Sequence, residues 1–258
     1  MIVPVTAGGI EASFILDTGA GLNLISDRLA AQVGCEPDGS TYTARRMSGQ
    51  PLTISLGSLG SLRLAEHTAS DITVGIFDFP ALAGFDGIEG MLSLSYFRSV
   101  PVTIDYQAGL VVVEDQASLR RRLDVGTPVT VQVDYDGDST ELMLGIDLPG
   151  GRGITVEVDT GSETLVLDES LAADAGIGLR DESTTKFESK DETGYDFVRY
   201  FATMGGNISV TGAPEIRMAD PAVMFQKIIY DGLIGDKFLR NFTTTYDLVN
   251  SRMIFAVP

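Results

Sequence analysis

Residues 10–34, IEASFILDTGAGLNLISDRLAAQVG, decide the fold, because residues 152–176, RGITVEVDTGSETLVLDESLAADAG, repeat their pattern without a gap. Equivalent positions are 142 residues apart. Each stretch predicts an apolar strand, the triplet Asp-Thr-Gly, a second apolar strand, a capped helix and a terminating glycine. Repetition of this kind indicates an internal duplication, so we expect two related lobes.

The elements within each repeat follow from local signals. Alternating and β-branched residues predict four short strands, at 14–16, 22–25, 155–158 and 164–167. Each repeat also predicts one helix, with a capping side chain before its first turn and a glycine suited to the left-handed conformation after its last. These cap pairs are Ser26 with Gly34 and Asp168 with Gly176.

A second pair of segments repeats later in the chain, at residues 85–113 and 230–257. Each contains Asp-Gly-apolar-x-Gly, a short helix, an Asp-bearing strand, a turn and a closing strand. Alignment of the two Asp-Gly pairs places Gly90 opposite Gly235. It also places Glu89 opposite an isoleucine. This carboxylate would either face solvent or lie near the paired aspartates and affect their titration, and because an unpaired buried charge is costly, we favour the solvent-facing position.

The two pairs of repeats cover nearly the whole chain. We expect a first lobe at residues 1–116, a polar linker at 117–127 and a second lobe at 128–258. The run Arg120-Arg121-Arg122 is interpreted as a solvated face of this linker. Strands outnumber helices in both lobes, which predicts a mainly β protein with a few short helices.

Composition narrows the chemistry. The 258 residues carry a formal charge of −18, which argues against nucleic acid or an anionic membrane surface as a partner. No apolar run approaches the length of a membrane span. Cys35 and His67 are the only residues of their types, which excludes an intramolecular disulfide, CxxC motifs and a site built on several histidines. Carboxylate chemistry is therefore favoured.

Asp17 and Asp159 hold the same place in the two repeats. One Asp-Thr-Gly triplet is an ordinary turn sequence, but two copies at equivalent ends of buried strands predict a paired site. Two carboxyl groups brought within hydrogen-bond distance share one proton, since like charges that close cannot both ionise. One could then act as a general base toward water while the other donates a proton to a carbonyl oxygen.

The residues after each aspartate support its loop. Glycine permits a tight turn in which backbone N–H groups reach the carboxylates, and the two threonines can hydrogen-bond across the pseudo-two-fold axis. We expect the Ser162 hydroxyl to donate to its carboxylate, which would make Asp159 the more acidic of the pair. The supporting residues are Thr18, Gly19 and Ala20 in the first lobe and Thr160, Gly161 and Ser162 in the second.

These segments resemble the pepsin/retropepsin superfamily of aspartic peptidases. DTGAGLNLIS is similar to the retropepsins, whereas VDTGSETLVL and LIGDKFLRNFTTTYDLVNSRMIFA are similar to the C-terminal lobe of pepsins. The resemblance implies a bacterial-type single chain with the acid-protease fold and a cleft between two retropepsin-like lobes. It also implies an aspartic endopeptidase that acts as a monomer on peptides or proteins, needs no cofactor and is inhibited by pepstatin-type compounds.

The resemblance further implies a β-hairpin flap over the substrate, some 25 residues after each aspartate. In the first lobe this window contains Tyr42, with Ser48 and Gly49 as a candidate tip. In the second lobe, Thr193 and Gly194 are candidates for the turn. An ordinary polar surface loop is an equal alternative for either segment alone.

Three questions stay open at the level of sequence. A catalytically weak or inactive member of the family could act as a peptide-binding module, and a lobe of retropepsin type could require dimerisation. The second lobe also has an extra strand candidate, residues 129–135, which suggests that a leader, with or without a further strand, precedes Met1 in the native protein. With such a leader the protein would be periplasmic or secreted, and without it cytoplasmic.

Overall fold

The computed structural model describes residues 1–78, 87–190 and 194–257. The N-terminal lobe is one sheet of seven strands: β1 (Ile2–Ala7), β2 (Ile10–Leu16), β3 (Leu24–Ser26), β4 (Pro37–Arg45), β5 (Pro51–Leu64), β6 (His67–Phe77) and β7 (Gly90–Leu92). They lie in the order β1-β2-β7-β3-β6-β5-β4. Their inward side chains alternate with outward ones, so that β5 buries every second or third residue over its 14 residues.

A second sheet joins the two halves of the chain. It is built from β8 (Val102–Asp105), β9 (Leu110–Val113), β10 (Thr127–Thr130), β21 (Thr243–Asp247) and β22 (Arg252–Ala256). Its order is β10-β22-β21-β8-β9, and all neighbours are antiparallel. At its centre β8 and β21 pair so that the hydroxyls of Thr103 and Thr245 lie 2.7 Å apart.

The third sheet belongs to the C-terminal lobe. Its strands are β11 (Gln132–Asp136), β12 (Ser139–Asp147), β13 (Gly153–Val158), β14 (Leu165–Asp168), β15 (Thr185–Lys190), β16 (Asp196–Thr203), β17 (Asn207–Val210), β18 (Ala213–Ala219), β19 (Ala222–Gln226) and β20 (Gly232–Ile234). The run β13-β20-β14-β19 matches β2-β7-β3-β6 of the first lobe in order and in strand direction. The prediction of a mainly β chain with two pseudo-symmetric lobes of the acid-protease fold is confirmed.

The α-helices of the described residues are short: α1 (Asp27–Val33), α2 (Gln116–Val125) and α3 (Asp236–Leu239). Helix α1 has the predicted caps, since the Ser26 side chain accepts from the Leu29 amide and Gly34 is left-handed with φ of 69°. The equivalent helix of the second lobe was predicted incorrectly. There Asp168 caps only a 3₁₀ turn, Glu169–Leu171, because its side chain accepts from the nearer Ser170 amide.

Residues 117–127, predicted as a polar linker, are mostly the helix α2. Asp115 and Ser118 form a capping box at its start. Arg122 is not simply solvated, because its Nε donates to Glu114 Oε1 at 2.8 Å and the Glu114 side chain is fully buried. The helix is thus fixed to the five-stranded sheet by a charge pair as well as by its chain ends.

Strand pairing corrects the predicted alignment of the later repeat. Phe14 pairs with Gly90 on β7, and Val156 pairs with Gly232 on β20. Gly90 is therefore equivalent to Gly232 rather than to Gly235, and it begins its strand instead of ending it. The offset of 142 residues therefore holds for the later repeat too. The alignment based on the two Asp-Gly pairs was wrong by three residues.

Most of the apolar core forms one continuous cluster that runs through both lobes and the sheet between them. The strands that carry the two aspartates are anchored in it, by Phe14 and Leu16 on β2 and by Val156 and Val158 on β13, each at most 1% exposed. In the part of the chain that the structure describes, no helix has the length and apolar character needed to cross a bilayer.

Candidate active site

The two Asp-Thr-Gly triplets face each other where β2 and β13 end. The amide of Asp17 donates to the Leu92 carbonyl at 3.0 Å, and the amide of Asp159 donates to the Ile234 carbonyl at 3.1 Å. Each aspartate is therefore held by the strand that runs parallel beside its own, β7 or β20. Both loops rest on buried strands, so the backbone of the site is rigid.

The threonines Thr18 and Thr160 tie the loops together across the pseudo-two-fold axis. Each amide donates to the other hydroxyl at 3.0 Å. The hydroxyls in turn donate to carbonyls of the opposite strands, Thr18 to Val158 at 2.6 Å and Thr160 to Leu16 at 3.0 Å. Both side chains are buried, so the four bonds fix the spacing of the two aspartates.

The loop glycines allow the carboxyl groups to meet. The Gly19 amide donates to Asp17 Oδ1 at 3.0 Å, and the Gly161 amide donates to Asp159 Oδ1 at 2.8 Å. A Cβ on Gly19 would lie 2.6 Å from Cγ of Asp159, and one on Gly161 would lie 2.7 Å from Oδ2 of Asp17. Any side chain at either position would displace the opposite aspartate.

The two carboxyls share a hydrogen bond, and burial raises the pKa of both. The pKa of Asp159 is raised to about 7, first by burial and next by the negative charge of Asp17. The hydrogen bond between them and the amides of Gly19 and Ala20 act in the opposite direction on the pKa of Asp17. Asp17 therefore loses its proton first, and Asp159 keeps its proton to higher pH.

This order reverses the expectation from Ser162. Its hydroxyl donates to the Thr164 carbonyl at 3.3 Å and not to a carboxylate. Only the Ser162 backbone amide reaches Asp159, at 3.1 Å from Oδ1. The extra hydroxyl that distinguishes the second loop from the first thus does not make Asp159 the more acidic residue.

The first-lobe flap segment is a β-hairpin of β4 and β5, with Ser48 and Gly49 in the turn. Its tip contacts the second lobe across the cleft, because the Ile229 amide donates to the Met47 carbonyl at 2.9 Å. Tyr42, on β4, donates to Ser139 Oγ at 2.9 Å. The hairpin is therefore attached to the opposite lobe at two points, and Tyr42 and Met47 line the same cavity as the two aspartates.

The second-lobe segment forms the hairpin of β15 and β16. Gly194 is left-handed, with φ of 84°, and lies in its connection. Thr193 lies outside the described residues. A side pocket of about 210 Å³ separates this hairpin from the first one, lined by Ser48 on one side and Phe197 and Arg199 on the other.

The sequence favoured a solvent-facing position for Glu89, and this expectation is wrong. The side chain is largely enclosed, and it does not approach the aspartates either. Its side chain is 12% exposed, accepts from the Ser26 hydroxyl at 2.5 Å and forms an ion pair with Arg28. With β7 in its correct register, this carboxylate lies at the start of helix α1, where a negative charge is favourable.

Sequence reasoning missed several residues that line the same cleft. The cavity over the aspartates measures about 440 Å³, and its walls include Glu141, Glu157, Tyr230 and Met47. A signal for Glu157 was present, because it lies two residues before Asp159 on a strand and so on the same face. Its equivalent in the first lobe is Ile15, as the offset of 142 requires.

This combination of two lobes with paired Asp-Thr-Gly loops beside a hairpin agrees with the resemblance to aspartic peptidases. Residues 3–96 match the model of a family described as aspartyl protease. That match supports assignment of the chain to the aspartic proteases of retropepsin-like type and with it a general protease activity, which is a hydrolase activity. No match is found among curated proteins.

Proposed function

We propose that the protein is an aspartic endopeptidase that hydrolyses peptide bonds with a water molecule held between Asp17 and Asp159. The observation that supports this function is the paired threonine contact, which holds two buried carboxyls within hydrogen-bond contact of each other. Two coupled carboxyls of this kind supply a base and an acid within one site.

The order of ionisation assigns the roles. Asp17, ionised first, is the general base that removes a proton from the water. Asp159, still protonated, donates to the oxygen of the scissile carbonyl as the water attacks its carbon. The tetrahedral intermediate then breaks down by proton transfer to the leaving amine, and the dyad returns to its singly protonated state.

The cleft suits an extended peptide. The flap hairpin and the strands below it present edges to which a peptide backbone can hydrogen-bond, while alternate side chains enter pockets on either side. Because both aspartates belong to one chain, a monomer suffices for this activity, and pepstatin-type compounds are expected to bind in the same cleft.

The test is proteolysis of an unfolded protein substrate from pH 3 to 8 by the wild type and by Asp17→Asn and Asp159→Asn. Each substitution should lower kcat/KM by about 10³-fold or more, because either change removes the shared proton system. Asp124→Asn, on the exposed face of helix α2, is the matched control. Pepstatin should inhibit the wild type, and sedimentation should give the mass of one chain.

The pH profile of the wild type tests the assigned roles. Since the pKa of Asp159 is about 7, the alkaline limb of kcat/KM should fall near pH 7. Full activity in either asparagine variant contradicts the dyad. If the wild type is folded but cleaves no substrate, the proposed peptidase activity is contradicted, and the peptide-binding module remains as the alternative.

A further inference from the structure

Glu157 is a buried carboxyl beside the two aspartates that the peptidase mechanism does not use. Its residue is 6% exposed, and it lines the cavity above the dyad. Across the described ranges, none of the ion pairs includes Glu157 and no hydrogen-bond donor acts on its carboxyl. The enclosed oxygens without a partner in the described side chains belong to Tyr106 and Glu114 and not to Glu157, so the Glu157 carboxyl opens into the cavity, where a ligand of opposite charge can stabilise it.

Strand geometry places Glu157 about the length of two strand residues from the catalytic candidate Asp159, which corresponds to a substrate residue next to the scissile bond. It lies on β13 two positions before Asp159, hence on the same face and about 7 Å along the strand. Glu157 pairs with Met143 of β12 and with Leu233 of β20. Glu141 lies two residues before Met143 on β12, so its side chain joins the same face and lines the same cavity.

We propose that Glu157 and Glu141 form an acidic subsite that binds a lysine or arginine side chain of the substrate, on a residue adjoining the scissile bond. The subsite serves the peptidase activity proposed above and rests on that function. A long basic side chain fits because its alkyl portion can lie along Leu233 while its charged end reaches the carboxyls.

The surroundings explain why the cation must come from outside. The groups that share the cavity with Glu157 are the carboxyls of Asp17, Asp159 and Glu141, the phenols of Tyr42 and Tyr230, and the flap arginines Arg45 and Arg46. Burial first, and then the negative charges of Asp159, Glu141 and Asp17, together raise the pKa of Glu157 to about 8. Among the ion pairs of the described residues, none joins Arg45 to Glu157 or Glu141.

The same cluster is not arranged for a metal ion. Within residues 1–78, 87–190 and 194–257, no three His, Cys, Asp or Glu side chains come close enough together to hold one. A flexible organic cation can instead contact Glu157 and Glu141 one after the other along its length. Since the pKa of Glu157 lies above neutrality, a bound cation should also displace its proton.

The first experiment compares cleavage of matched peptides that differ only by lysine or norleucine next to the scissile bond. The cleavage site is first located with a randomised peptide library read by mass spectrometry. The wild type should favour lysine by about tenfold or more in kcat/KM, since a charge pair in a partly desolvated cleft is strong. Glu157→Gln should bring this ratio to within about twofold, and Glu141→Gln should lower it less. Glu66→Gln, an exposed carboxyl in the first lobe, is the matched control and should keep the ratio.

A second experiment separates the subsite from catalysis. Reduced-amide versions of the two peptides, which cannot be cleaved, are titrated by calorimetry in two buffers of different ionisation enthalpy at pH 7. The lysine peptide should bind the wild type about tenfold more tightly than the norleucine peptide and release up to one additional proton. Both differences should vanish in Glu157→Gln.

The outcomes are distinguishable. Cleavage without any preference for lysine or arginine overturns the subsite and leaves the peptidase intact. A lysine preference in binding without cleavage supports the subsite and contradicts the proposed hydrolysis. Equal affinity of the two reduced peptides, or a preference that survives Glu157→Gln, overturns the assignment of Glu157.

Discussion

At the scale of single residues, the site depends on groups that satisfy one another across the pseudo-two-fold axis. Thr18 and Thr160 show this most clearly, since each hydroxyl both accepts from an amide of the other lobe and donates to a carbonyl there. The aspartates themselves contribute nothing comparable to stability, because they are two buried acids with one shared proton. The energy that holds them together therefore comes from their neighbours.

Thr18→Val tests this division of roles. The substitution conserves shape but leaves the Thr160 amide and the Val158 carbonyl buried without partners, which should lower the free energy of unfolding by about 3 kcal/mol. Thr18→Ser keeps the hydroxyl and is the matched control. Urea denaturation of both variants measures the difference, and equal stabilities would show that these bonds do not support the fold.

At the scale of elements, the sequence predicts the aspartate strands well, because their apolar alternation ends at a recognisable triplet. It fails where two short motifs compete for the same alignment. The Asp-Gly pairs at 86–87 and 231–232 look equivalent, yet pairing of Gly90 with Phe14 sets the register three residues away. Backbone pairing with a distant strand is a tertiary fact that local sequence does not contain.

The same limit applies to the site. Asp17 and Asp159 are found from the repeat because duplication marks them twice. Glu157 occurs in one lobe only, so the repeat gives it no weight, although its place on the strand face was predictable. The prediction for Ser162 was wrong for another reason. Its hydroxyl rotates toward the Thr164 carbonyl, and that rotation is decided by local geometry.

The flap hairpin is the element whose contacts matter most for substrate entry. Its turn residue Gly49 has φ of +84°, and a Cβ there would lie 2.9 Å from Cγ2 of Ile229. Gly49→Ala should therefore weaken the bond between the Ile229 amide and the Met47 carbonyl, and the Ile229 amide should exchange with solvent about tenfold faster. Hydrogen exchange followed by NMR measures this rate without any substrate.

Gly39→Ala is the control for backbone strain. Gly39 lies in the same hairpin with φ of +89°, but a Cβ there meets nothing within 4 Å. It carries the same penalty for a left-handed alanine without the contact to the second lobe. If both variants change the exchange of the Ile229 amide equally, the tip contact does not hold the hairpin over the cleft.

At the scale of the whole molecule, the two lobes act as one unit. The five-stranded sheet takes strands from both halves, and helix α2 returns the chain from one lobe to the other. The hairpin of β11 and β12 adds a further link, since Arg98 of the first lobe donates to the Thr140 hydroxyl at 2.7 Å and to the Gly137 carbonyl at 2.9 Å. This rigidity is what allows the cleft to hold ionisable groups that destabilise it.

Stability should therefore fall as the cleft loses protons. Asp17, Asp159 and Glu157 all have raised pKa values in the folded state, so between about pH 4.5 and 8 the folded protein binds more protons than the unfolded chain. Their effect on stability is most favourable below their unfolded pKa values, and this advantage is lost as the pH rises through the folded pKa values, which are about 7 for Asp159 and about 8 for Glu157. Glu114, whose pKa is lowered, acts oppositely and loses its contribution only in more acidic solution.

The expected result is a free energy of unfolding that declines from pH 5 to pH 8. The glutamine in Glu157→Gln cannot ionise. Between pH 5 and pH 8, the free energy of unfolding of this variant should therefore fall by on the order of 3 kcal/mol less than that of the wild type. Glu66→Gln removes the same charge from an exposed site and should leave the decline unchanged, which separates the cleft from general repulsion at a net charge of −18. Urea denaturation at pH 5 and pH 8 gives the comparison. A wild type whose stability is equal at both values would mean that the cleft carboxyls titrate as they do in water, and the shared proton of the dyad would lose its physical basis.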